Sequence, residues 1–241
     1  METEGYFLLI PFIINILLVG FLLTRGDDAF HRVNRAFSLW VISICFWYSQ
    51  LILETVTVHD SQLLIALFRI SLVGEWVIPS FFVYFVMCFT NEKITFRRRL
   101  LIVVPAVFFA SLIFIDCYVP KLVVNTIRFN VYGSSSKSVI YVMYTFIAWF
   151  AYFIVYISWG IGMLVGHILR TTVALYDRRW RNVIKQSDFL LATGGILIFI
   201  LGLTIDIIIP IVSSRVFPIS SITTLIMVGF VGYLLYRVET S

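Results

Sequence analysis

Charge is the scarcest property of this chain: Asp, Glu, Lys and Arg together make up 13% of its 241 residues. A soluble domain carries about 25%, so a free-standing water-soluble fold is excluded. Cysteine is also sparse. Cys45, Cys88 and Cys117 stand far apart, in or beside apolar runs, and form no CxxC. Neither a disulfide framework nor a redox motif is indicated, and packed free thiols are expected. His31, His59 and His167 are scattered, with no pair at metal-ligand spacing. Walker loops and nucleophile elbows are missing, and acidic groups within apolar runs are too few for an obvious proton wire. No catalytic activity, cofactor or metal is expected. The N-terminus, Met1-Glu-Thr-Glu-Gly, is acidic where a secretory signal peptide must be basic. The first apolar run is therefore expected to remain as a helix.

Hydrocarbon dominates instead. The chain is 61% hydrophobic, with a mean hydropathy of +1.00. Residues 63–89 hold only two charges, Arg69 and Glu75, and an apolar run beyond about 18 residues reads as a membrane-spanning helix. Six further runs complete an all-α, polytopic bundle of seven spans forming one domain over 1–241. The expected spans are about 5–23, 36–56, 63–89, 100–117, 139–169, 187–209 and 219–236. Residues 118–138 read as an exposed loop around Gly133-Ser-Ser-Ser. Internal repeats and paired broken helices of the transporter kind are not evident. The last span has no lysine, which excludes a retinal Schiff base there.

The net charge of +5 reflects topology rather than nucleic-acid binding. Thirteen of the eighteen Lys and Arg fall in loops one–two, three–four and five–six or in the tail. Positive loops stay cytoplasmic, which places the N-terminus outside and the C-terminus inside. Trp180, among Arg178, Arg179, Arg181 and Lys185, fits a cytoplasmic interfacial anchor.

Ionised groups within spans are costly and are functional candidates by default. On the third span Arg69, Trp76, Ser80 and Val83 share one face, with Glu75 about 120° away beside Ser71 and Ile78. Pro79 removes a helical hydrogen bond and predicts a kink. On the second span Ser43, Trp47, Gln50 and Glu54 form one stripe. On the sixth, Gly195, Phe199, Gly202 and Asp206 do the same, and the small residues admit a close neighbour. Gln50, Glu54, Arg69, Glu75, Trp76 and Asp206 are the candidate ligand-binding residues. Tyr141, Tyr144, Trp149 and Tyr152 would add an aromatic wall. The competing structural reading is a Glu54–Arg69 ion pair across the tight turn between spans two and three. Gly162 and Gly166 make a GxxxG that permits close packing or a homodimer.

Asn34-Arg-Ala-Phe-Ser-Leu with Trp47 and Glu54 resembles the start of the seven-helix N-terminal sensor region of bacterial histidine kinases. So do Phe68-Arg69, Gly74, Ile78-Pro79, Phe82, Phe85 and Phe89-Thr90. A third patch comprises Asp206, Pro210, Pro218, Thr224, Gly232-Tyr233 and Arg237. Glu75 departs from the pattern, standing where an apolar residue is expected, and so marks a ligand preference of this protein. The resemblance implies a non-catalytic input module in the bacterial cytoplasmic membrane. It would bind an extracytoplasmic or lipid-phase ligand and signal through its last helix. Because the sequence stops at Ser241, either the chain is a fragment or the output belongs to a cytoplasmic partner. Two other classes stay open: an accessory subunit of a membrane complex, with a tightly packed interior, and a small transporter, with a water path across the bilayer. Membrane lipids and an unidentified small ligand are the expected partners, and nucleic acid is not.

Overall fold

The computed structural model describes residues 2–24, 31–55, 61–116, 118–119, 122–128, 138–176, 186–212 and 219–240. They form seven helices and one hairpin: α1 (Glu2–Thr24), α2 (His31–Thr55), α3 (Ser61–Phe89), α4 (Phe96–Asp116), β1 (Val124–Arg128), β2 (Ser138–Tyr141), α5 (Met143–Tyr176), α6 (Gln186–Val212) and α7 (Ile219–Thr240). Among the described residues α3, α4 and α5 each hold a stretch long and apolar enough to cross a membrane. Apolar stretches of α1, α6 and α7 are shorter.

The helices are apolar because they face lipid as well as one another. α4 shows this most directly: Val103, Val104, Val107, Phe108 and Phe114 are all more than half exposed, while Ile102, Ala106, Phe109 and Ile113 are buried. The exposed side of such a helix is matched to acyl chains, not to water. α2 and α3 pack along each other, α3 also meets α4 and α5, and α7 lies against α6 and α1.

Glycine sets several of these approaches, two of them closest. A Cβ at Gly74 of α3 would overlap the Cβ of Phe46 and crowd the Ser43 carbonyl on α2. One at Gly202 of α6 would overlap Thr223 of α7. The face of α6 that carries Gly195, Phe199 and Gly202 does admit a close neighbour, and that neighbour is α7.

Two corrections to the expected boundaries come from the turns. The expected fourth span opens at residue 100, yet α4 begins at Phe96. Thr95 caps it, accepting from Arg98 N at 3.4 Å on its hydroxyl and from Arg99 N at 3.0 Å on its carbonyl. Before it, α3 ends in a Schellman motif. Asn91 takes a left-handed φ of 53°, with Asn91 N donating to Cys88 O at 3.2 Å and Glu92 N to Met87 O at 2.9 Å. The second correction lies in the 118–138 segment. Its ends are not irregular: β1 and β2 pair antiparallel, with an irregularity between Val124 and Thr126. Val, Ile, Thr and Tyr at these positions suit an extended ladder. α5 consequently starts at Met143, not 139, and runs on to Tyr176. The Gly133-Ser-Ser-Ser run and Trp180 lie outside the described residues.

Candidate functional site

The candidate site begins at the join of α3, α4 and the hairpin. Arg69 Nη2 lies 3.3 Å from Asp116 Oδ2, with the aspartate side chain 1% exposed and the arginine side chain 20% exposed. Asp116 is the last residue of α4, where the helix dipole disfavours an anion. The following chain compensates by turning back on it. Leu122 N and Val123 N both donate to Asp116 Oδ1 at 2.8 Å. The same two residues reach α5: Val142 N donates to Val123 O at 2.8 Å, and the Thr145 hydroxyl to Leu122 O at 2.7 Å. One carboxylate thereby connects α3, the end of α4, the root of the hairpin and the first turn of α5. The pair is held by proximity rather than by an aligned hydrogen bond. Arg69 Nε and Asp116 Oδ2 are both buried without a hydrogen-bond partner among the described residues.

Deeper along the same face of α3 the interior is aromatic and solid. Trp76 is fully buried. It stacks on Trp149 of α5 at 6.0 Å and meets Phe109 of α4 edge-on at 5.7 Å. Phe109 in turn stacks on Tyr152 at 4.8 Å. Beyond the stack lies a hydroxyl chain built around Pro105. Proline has no N–H, so the Leu101 carbonyl one turn earlier loses its helical donor. The Tyr156 hydroxyl of α5 donates to it instead. Next to it the Ser80 hydroxyl donates to Ile102 O at 2.8 Å. That uses the serine's single proton, so Tyr152, 2.7 Å away, donates to Ser80.

At the opposite end, Glu92 in the α3–α4 turn receives Arg170 Nη2 of α5 at 2.9 Å and Arg98 Nη1 at 3.3 Å. Hydrogen bonds from Arg170 first, and then Arg98, hold its carboxyl below the ordinary glutamate range.

The candidate residues are only partly gathered. Arg69 is partnered by Asp116, which stands outside the candidate set because it closes the expected fourth span beside a loop. Its signal is legible: it is an acid at the helix end that shares a side of the bundle with Arg69. Glu75 is half-buried and Ser71 and Ile78 beside it are buried. Trp76 lines no opening; it is sealed in the stack, because Trp149 and Phe109 fill the space before it. The aromatic wall divides likewise. Trp149 and Tyr152 are core, whereas Tyr144 is 85% exposed, since its position on α5 is turned well away from theirs. The side chains of Gln50, Glu54, Asp206 and Tyr141 lie outside the described residues, and with them the Glu54–Arg69 alternative. Of the polar stripe on α2, Ser43 and Trp47 are buried.

A separate hollow of about 300 Å³ opens between α1 and α2, walled by Phe12, Ile16 and Val19 on one side and Ile42, Cys45 and Phe46 on the other. The far side of α2 reaches α7, where Tyr48 and Thr224 share a hydroxyl–hydroxyl bond of 2.5 Å. Among the described residues no cluster of His, Cys, Asp and Glu is fit to hold a metal ion.

Seven apolar helices, three of them holding a stretch long and apolar enough to cross a bilayer, define a multi-pass membrane protein. Residues 7–240 match the family of the N-terminal 7TM region of histidine kinase, and the chain belongs to that family. This family is a sensory membrane region and not a catalytic domain. Neither a curated protein nor a solved structure matches the chain.

Proposed function

We propose that the chain is the input module of a bacterial two-component system, set in the cytoplasmic membrane with its N-terminus outside. It takes an extracytoplasmic or lipid-phase ligand and passes a conformational shift through α7 to a cytoplasmic output domain or partner. The observation that supports this reading is the Arg69–Asp116 pair. A buried carboxylate held by two backbone N–H groups, facing a guanidinium with a spare buried donor, is a contact with more than one arrangement. A ligand anion that takes Arg69 would leave Asp116 to the hairpin alone. Such a ligand changes the balance of two states only through different affinity for them. Glu54, Gln50, Glu75 and Asp206 are the proposed further contacts, and Trp76 supports Arg69 from behind through packing.

Arg69→Ala and Arg69→Lys in the full signalling protein test the reading. The expected result, at equal expression and equal thermal stability, is an output that no longer follows stimulus in the alanine variant. Partial response is expected from lysine, which keeps the charge but not the fork. Unchanged signalling in Arg69→Ala would remove this pair from the sensing path.

A further inference from the structure

We propose that the hollow between α1 and α2 holds one acyl chain of an anionic phospholipid whose headgroup is bound at Arg35. The hollow is hydrocarbon throughout: the hydroxyl of Ser49 at its edge is turned into the helix, donating to Phe46 O at 2.6 Å. A polar ligand would find no partner there and lose its hydration. The mouth faces outward, with Ile16 48% and Phe46 45% exposed. The occupant therefore arrives from the bilayer.

Charge decides which lipid. Arg35, Ile42 and Ser49 follow one another at seven-residue steps and so share one face of α2. Arg35 sits about 10 Å from Ile42 along the helix axis, close to the separation between a headgroup and the first part of its chain. It lies toward the α1–α2 connection, beyond the end of the hollow formed by Val19 and Ile42. It is exposed and has no ion pair among the described residues. Arg32, one turn earlier, is turned toward Tyr84 and Cys88 of α3, away from the hollow. Among the described residues of α2, Arg35 is thus the cation on the face of the hollow, placed to meet a phosphate above it.

The full chain in nanodiscs of equal phosphatidylglycerol and phosphatidylcholine, released into native mass spectrometry, provides the test. The wild type should retain one phosphatidylglycerol in preference to phosphatidylcholine. Arg35→Gln should lower that retention about five-fold, the effect of one surface cation, and Arg35→Lys should keep it. Ile42→Trp, which fills the hollow with Arg35 intact, should abolish it while the thermal transition stays in place. Equal retention of the two lipids, or unchanged retention in Arg35→Gln or Ile42→Trp, would overturn the proposal. So would a mass showing a second copy of the chain on this face instead of lipid.

Discussion

Pro105 shows how a single residue writes a demand that others must meet. It takes away the donor for the Leu101 carbonyl, and in lipid an unmet carbonyl is expensive. Tyr156 meets the demand from another helix. Tyr156→Phe should therefore destabilise the fold by about 1–3 kcal/mol, the cost of a buried acceptor left unpaired. The same change in a Pro105→Ala background should cost clearly less, because alanine restores the helical N–H at that position. A double-mutant cycle on thermal unfolding in detergent checks this. Equal costs in both backgrounds would mean that the tyrosine acts through packing alone. The proline is visible in the sequence. The identity of the residue that compensates for it is not, since Leu101 and Tyr156 are 55 positions apart.

At the scale of elements, glycine and charge act where helices meet. Gly74→Ala puts a methyl against a backbone carbonyl of α2 that has nowhere to go, so its unfolding midpoint should fall. Gly162→Ala meets nothing within 4 Å and should raise the midpoint slightly, by up to about 1 kcal/mol of helix propensity. A side-by-side melting comparison separates the two. The GxxxG at 162–166 is therefore not used in packing within the described chain, while the single Gly74 is. Glu92 ties the α3–α4 turn to α5. Its carboxyl is held below the ordinary range, so the tie contributes fully above that range. It fades as pH falls through the lowered value. Because Arg170 is 67% exposed, the effect should be small and salt-sensitive. Spin labels on the turn and on α5 should separate at acidic pH, and Glu92→Gln should show that separation at neutral pH.

For the molecule as a whole, the proposed function makes α7 the element through which a signal leaves. Its ties include the Tyr48–Thr224 hydroxyl bond to α2, the close seats of Thr223 on Gly202 and of Phe230 and Met227 on Gly195, and the approach of Leu18 of α1 to Gly232. Tyr48→Phe and Thr224→Val each release α7 from α2, leaving its packing on α6 in place. Basal output of the full signalling protein should shift in the same direction in both variants. The double variant should shift no further than either one, because both remove a single bond. Additive or opposite shifts would show that the bond does not set the resting position of α7.

The chain's own order of residues determined the membrane class, the seven helices and their rough extents. Those follow from the length of apolar runs and the placement of cations, which are local properties. It also marked Arg69 as unusual, since a charge in hydrocarbon stands out in any reading. Which acid answers Arg69, that Trp76 is sealed and not lining a pocket, and that α1 and α2 leave a hollow were decided only when the helices came together. A wheel gives the face of a side chain, but the neighbour across that face is set by how several helices turn and approach. For Asp116 this included a backward fold of the chain after α4, which brings two backbone N–H groups onto its carboxylate.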